Sequence, residues 1–131
     1  MILRAENICK QYFRKTGSAN YFNAVQPVCL ELEGGLLTVL TGRSGSGKTT
    51  LMNMLSGLLA PTSGHVRMGD TDLYSLDDRA LSRLRSERMG VVPQGRSAID
   101  TLTVLENILL PAKLYGRPLP TDSASRWMER L

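Results

Sequence analysis

The chemistry of this chain is concentrated in eight consecutive residues, Gly42-Arg43-Ser44-Gly45-Ser46-Gly47-Lys48-Thr49, followed by Thr50. They satisfy the pattern GxxxxGK[ST] at every fixed position. At ordinary residue usage, roughly one random chain in two hundred of this length would contain that pattern. The glycines at 42, 45 and 47 let the backbone approach a ligand with no Cβ in the way. Successive N–H groups can then turn inward as an anion-binding nest, and a helix starting near Gly47 adds its positive end. Lys48 supplies a full charge for β- and γ-phosphates, and the Thr49 hydroxyl can ligate Mg²⁺. The chemistry implied is capture of a nucleoside triphosphate with magnesium.

Such a loop works only where a strand and a helix aim it. Residues 36–41, nearly apolar on both faces and β-branched in the middle, predict a central strand of an α/β sheet, buried on both sides. Residues 50–55 have helical spacing that ends near Gly57. Upstream, residues 2–7 read as a short strand bounded by the polar stretch 14–23. Val28, Leu30 and Leu32 alternate with Cys29 and Glu31, as in a half-buried antiparallel strand. Downstream, residues 65–68 predict a small strand ending at Gly69-Asp70. Residues 77–87 predict a helix capped by Ser75 or Asp77, with Leu81 and Leu84 on one face. Residues 89–93 predict a second short apolar strand that leads into Gln94. Thr103 and Glu106 form a capping box for a helix running to Pro111 or Tyr115. Thr121 or Asp122 opens a last helix that reaches Leu131.

The 131 residues, 42% hydrophobic and 21% charged, suffice for one domain and are too few for two of ordinary size. No apolar run approaches the roughly 18 residues of a membrane-spanning helix. Arg4, Glu6 and Lys10 interrupt the start, where a signal peptide needs an apolar stretch. A soluble chain kept inside the cell is the expectation. A net charge of +4 favours anionic partners without choosing among them. Cys9 and Cys29 form no CxxC and are expected to be reduced core thiols. Arg79, Arg83, Arg85 and Arg88, interleaved with Asp77, Asp78 and Glu87, predict a solvated helix face.

Taken together, these segments resemble the N-terminal half of an ATP-binding cassette (ABC) ATPase. The resemblance is carried by Glu6-Asn7-Ile8-Cys9-Lys10-Gln11-Tyr12, by residues 41–53, by Pro61-Thr62-Ser63-Gly64 with the three residues before it, by residues 85–94 and by residues 102–108. It implies an α/β P-loop NTPase, as a partial ABC ATPase fold: an N-terminal antiparallel β subdomain with the P-loop core over about residues 1–96, and the start of a helical subdomain over about 97–131. Tyr12 matches the aromatic that stacks on adenine, with Tyr21 and Phe22 as competitors. Gln94 matches the Q-loop glutamine, which meets Mg²⁺ or the attacking water and passes nucleotide state to a membrane partner. Gly42 through Thr50 would hold ATP, and Thr49 with Gln94 would hold Mg²⁺.

The same resemblance implies a peripheral subunit on the cytoplasmic face of the cell membrane, working with a permease and a second ATP-binding subunit, with no nucleic acid. Its spelling is most similar to the ATPases of lipoprotein-release and macrolide or peptide exporters. The family's LSGGQ signature, Walker B Asp, catalytic Glu and switch His have no counterpart in this sequence. Leu55-Ser56-Gly57-Leu58-Leu59 begins like a signature but lacks the Gly-Gln. The implied reading is therefore a fragment of a longer ATPase that binds nucleotide weakly without efficient hydrolysis. Trp127, Met128 and Leu131 form an apolar stripe expected to lie exposed and to favour self-association. Two rivals are an SMC-like, DNA-associated ATPase half and a naturally short nucleotide-binding module. Pro111, Gly116, Pro118 and Pro120 speak against the long coil that the first requires.

Overall fold

Two long strands dominate the first part of the chain. β1 (Ile2–Phe13) and β2 (Tyr21–Glu33) pair antiparallel along nearly their whole length, from Ile2 opposite Glu33 to Phe13 opposite Tyr21. β1 is twice as long as its alternation predicts, because pairing with β2 carries it through Lys10–Phe13. The structure, a computed structural model, describes residues 1–14, 21–95, 97–116 and 121–129. β3 (Ser63–Met68) and the short β4 (Thr71–Asp72) complete an antiparallel sheet of order β2-β1-β3-β4. α1 (Lys48–Leu55), a single 3₁₀ turn (Leu73–Ser75) and α2 (Asp78–Arg88) follow the chain around this sheet. α3 (Val104–Leu114) and α4 (Thr121–Met128) come last. The chain divides into two compact units, Met1–Arg85 and Ser86–Leu131.

In the first unit the buried side chains are Ala5, Ile8, Cys9, Val25, Leu51, Met54, Leu55, Val66, Leu73 and Leu81. Strand β1 supplies three of them through a bulge. Its register against β2 shifts between Ala5 and Ile8, and Asn7 takes a left-handed conformation with φ +53°. Asparagine tolerates that region better than most residues. The bulge pushes the Glu6 and Asn7 carbonyls against Gly64, where any Cβ would meet both oxygens and φ is +85°. Gly64 is thus required by this crossing of β1 and β3.

Three expectations are corrected. Residues 36–41 form no strand: Leu36, Leu37, Val39 and Leu40 are 67%, 92%, 71% and 43% exposed. Residues 89–93 form none either, and Val92 is 96% exposed. An apolar β-branched run becomes a buried strand only when neighbouring strands accept its hydrogen bonds, and among the described residues none does. Cys29 is exposed rather than buried. It sits on an outward position of β2, which is an edge strand, and accepts the Asn7 N–H at 3.1 Å.

The helix boundaries follow their caps. The Asp77 carboxylate accepts the Ala80 N–H at 2.7 Å at the head of α2. Thr103 and Glu106 close a reciprocal capping box on α3. Those bonds hold the Glu106 carboxyl below its ordinary pKa, the Thr103 N–H contributing most and the Thr103 hydroxyl next. In the second unit Leu109 of α3 and Ala124 of α4 are buried. Met128 is 37% exposed, while the Trp127 side chain and Leu131 lie outside the described residues.

Candidate functional site

Residues 42–50 form an open turn running into the first turn of α1. Gly47 caps the helix with φ +89°, and a Cβ there would press on the Ala24 carbonyl oxygen of β2. Glycine at 47 therefore serves two needs, a left-handed backbone and close approach to the sheet. Within the loop the Ser46 N–H donates to the Arg43 carbonyl at 3.2 Å, and the Leu51 N–H to the Gly47 carbonyl at 2.8 Å. The N–H groups of Lys48, Thr49 and Thr50 find no acceptor among the described residues, and no acidic residue or capping side chain fills that helix end. These unpaired donors and the helix dipole make a site for an anion.

Lys48 points back over the loop. Its ammonium donates to the Gly42 carbonyl at 2.8 Å, to the Arg43 carbonyl at 2.6 Å and to the Ser46 hydroxyl at 3.4 Å. The charge is held within the loop by neutral oxygens and, among the described residues, by no carboxylate, so it is uncompensated there. Thr49 is exposed, with its hydroxyl free to meet a ligand. The donor set fits a phosphate chain: N–H groups, one ammonium and one hydroxyl, with no competing anion.

The other end of α1 is braced from a distance. The Tyr74 hydroxyl lies 2.6 Å from both the Met54 and the Leu59 carbonyls and donates its one proton between them. Burial pushes this phenol up to about 12, against the pull of the Arg85 guanidinium. Arg85 Nη1 donates to the Gly57 carbonyl at 2.5 Å, and Nη2 to the Ser82 hydroxyl at 3.0 Å. Arg85 is thus a brace for the turn after α1 and not a member of a purely solvated face. Sequence reasoning missed both residues, because neither carries a local signal.

Tyr12 stands at the far end of β1, opposite Phe22, with ring centroids 5.8 Å apart. Lys10 lies 5.6 Å over the Tyr12 ring and Arg14 lies 5.3 Å over Phe22, giving one face of two rings and two cations. Phe13 and Tyr21 pair edge-on at 5.5 Å as the next cross-strand pair. Tyr21 is therefore set apart from Tyr12, whereas Phe22 joins it. Lys10 also donates to the Ala60 carbonyl at 2.6 Å, the Gln11 N–H to the Thr62 hydroxyl at 3.0 Å, and the Thr62 N–H to the Cys9 carbonyl at 2.8 Å. The Pro61–Gly64 turn is in this way stitched to the strand that carries Tyr12. The sequence signal for Lys10 and Arg14 was there, since positions 10, 12 and 14 share one face of a strand.

Gln94 belongs to the second unit and is exposed in the segment after Pro93. His65, on β3, pairs its Nδ1 with the Asp72 carboxylate at 2.6 Å. Among the described residues no three His, Cys, Asp or Glu side chains gather as a metal cluster, and no helix is long and apolar enough to cross a membrane.

Comparison with known proteins adds the following. A family model described as ABC transporter matches residues 25–131. The chain is 38% identical over 96 residues to an uncharacterised ABC transporter ATP-binding protein of Mycobacterium bovis, covering 71% of this chain and 29% of that protein. It is 34% identical over 119 residues to the lipoprotein-releasing system ATP-binding protein LolD of Buchnera aphidicola, covering 91% of this chain and 51% of LolD. Among solved structures it resembles the dimeric bacterial ABC transporter cassette MJ0796, with TM-score 0.83 and 32% identity over 97% of this chain and 54% of that one. The same cassette has been solved in a post-hydrolysis state bound to ADP and Pi, with the same similarity. The chain thus spans about half, or less, of the length of these relatives.

Proposed function

This chain belongs to the ABC transporter family of ATP-binding proteins, and from that premise we propose that it binds Mg²⁺–ATP through residues 42–50 as part of a transport ATPase. The observation that carries the reading is the ammonium of Lys48 held inside a loop whose following N–H groups lack acceptors. In this reading the backbone of Gly42, Arg43, Ser44, Gly45, Ser46 and Gly47 wraps the β-phosphate. Lys48 turns from its loop carbonyls to the β- and γ-oxygens, and the N–H groups of Lys48, Thr49 and Thr50 donate to the same chain. Thr49 would hold Mg²⁺, which when bound supplies positive charge against the phosphates. Tyr12, with Phe22 beside it, offers a ring face for adenine.

The wider role follows from the family and from the likeness to LolD. The ATPase works as a pair with a second ATP-binding subunit, peripheral on the cytoplasmic side of the membrane, and couples nucleotide binding and hydrolysis to a permease. Residues 1–96 are its β subdomain and P-loop core, and residues 97–131 begin its helical subdomain. On its own, this sequence holds ATP weakly and turns it over inefficiently, because the family's Walker B Asp and catalytic Glu, which would orient water, have no counterpart in it.

Calorimetric titration of the chain with Mg²⁺–ATP, beside Lys48→Ala, tests the reading. Loss of charge-assisted bonds worth about 1.5–3 kcal/mol weakens binding roughly 10- to 150-fold in the variant. Equal affinity in the two proteins would sink the assignment of the site. Steady ATP hydrolysis that disappears in Lys48→Ala would overturn the inefficient-turnover part alone.

A further inference from the structure

The cation over the Tyr12 ring is anchored outside the strand that carries them both. Lys10 Nζ donates to the Ala60 carbonyl at 2.6 Å while lying 5.6 Å from the Tyr12 ring centroid. Ala60 is a fixed post. On one side of it the Leu59 carbonyl accepts the Tyr74 hydroxyl at 2.6 Å, and on the other the Thr62 N–H donates to the Cys9 carbonyl at 2.8 Å. The Gln11 N–H closes the same crossing on the Thr62 hydroxyl. The half-buried Lys10 side chain thus joins the segment that follows α1 to the ring two residues along β1.

The register decides which side of the sheet the ring occupies. Lys10 pairs with Val25 and Tyr12 with Phe22, while Gln11 between them pairs with Asn23, so Ala24 is an extra residue on β2. That bulge brings Val25 and Phe22 to the same face, and residues directly opposite in an antiparallel pair share a face. Lys10, Tyr12, Phe22 and Val25 therefore line one side of the sheet. Val25 is buried, and a Cβ on Gly47 would stand 3.2 Å from its Cγ2. The ring accordingly lies on the side where the phosphate loop enters α1.

We infer that Lys10 is a positioning residue for the nucleobase, its bond to Ala60 and its charge over Tyr12 holding that ring in place for a stacked adenine. The inference rests on the reading that Tyr12 offers the adenine platform. Its physical content is preorganisation. A side chain that must be ordered on binding costs the ligand about 2- to 12-fold in affinity. Lys10 removes that cost in advance, since carbonyl, cation and ring are already joined. Phe22, with its centroid 5.8 Å away and the Arg14 guanidinium over it, supports the ring from β2. The phosphates are gripped by residues 42–50 and gain nothing from this device. Lys10 therefore acts on base recognition and leaves phosphate capture alone.

Calorimetric titration of the chain with Mg²⁺–ATP and with Mg²⁺–tripolyphosphate, which has the phosphates and no base, tests this. The readout is the ratio of the two affinities. Lys10→Met keeps the length of the stem and loses the ammonium; it is expected to lower the ratio about 2- to 12-fold through ATP, with tripolyphosphate binding unchanged. Lys10→Arg keeps a donor and a cation and retains the wild-type ratio. Tyr12→Ala removes the platform and lowers the ratio about 5- to 150-fold. A ratio unchanged in Lys10→Met overturns the proposal, whether both affinities hold or both fall together, as loss of a phosphate contact or general loosening would make them. So does a Lys10→Arg protein whose ratio falls as far as that of Lys10→Met. If Tyr12→Ala lowers the ratio and Lys10→Met does not, only the role of Lys10 falls. If Tyr12→Ala keeps the wild-type ratio, the adenine reading itself fails and this inference with it.

Discussion

Replacing Tyr74 by Phe removes one oxygen and leaves the ring in place, so it isolates the brace at the end of α1. The hydroxyl serves two carbonyls at 2.6 Å, of Met54 and Leu59, with a single proton. The variant therefore loses one short hydrogen bond and leaves a half-buried acceptor less well satisfied, at a cost of about 1.5 kcal/mol. For a unit of this size that lowers the melting temperature by about 6–12 °C. A second signature lies in pH. The phenol is raised to about 12 from 10.0, so its contribution is complete below pH 10 and is lost as pH rises toward 12. At pH 11 the full two-unit difference would remove about 1.4 kcal/mol, and roughly half of that remains after discounting for solvent at a half-exposed ring. Urea unfolding followed by circular dichroism gives the wild-type minus variant gap at pH 7, 9 and 11. A gap of about 1.5 kcal/mol that narrows by about 0.7 at pH 11 is the expected result. A gap under about 0.3 kcal/mol at pH 7, or one that widens at pH 11, would show that the hydroxyl does not hold α1.

Two further substitutions probe the loop and the second unit. Gly47→Ala combines a left-handed backbone with pressure on the Ala24 carbonyl, and is expected to cost about 2–4 kcal/mol by thermal melting and to weaken nucleotide binding more than Thr50→Ala does. Thr103→Ala removes the N-cap of α3 and costs about 1 kcal/mol, read as lost helical signal and faster amide exchange over residues 104–107. In the wild type the same helix end loosens as pH falls below the ordinary carboxyl value of 4.5, because Glu106 has a lowered pKa and its support is present above that value. Protection factors at the start of α3, with intrinsic exchange normalised at each pH, that stay flat between pH 6 and 3 would contradict this.

The features legible in the sequence are those written in neighbouring residues. Asp77 three residues before Ala80, and Thr103 three before Glu106, mark helix starts without help from the rest of the chain. The candidate phosphate loop is equally local, since its glycines act through their own backbone and Lys48 and Thr49 through side chains within the same nine residues. Cross-strand relations are not local. The extension of β1 through Phe13 depends on β2, and the bulge at Asn7 that fixes Gly64 depends on β3. Residues 36–41 show the limit of patterning, for an apolar β-branched run specifies a strand that wants neighbours and does not supply them. Tyr74 and Arg85 escape sequence reading for another reason: their targets are bare carbonyls 15 to 28 positions away, and a carbonyl has no spelling.

The tether of Lys48 has a kinetic consequence. Because its ammonium rests on three oxygens of its own loop, the positive charge is stored at the mouth of the site before any anion arrives. Capture then requires only a swing of one side chain from one set of acceptors to another, on the nanosecond scale of exposed rotamers. Nucleotide entry should accordingly be set by diffusion and by ionic strength, while the rate of departure carries the differences between one phosphate ligand and the next.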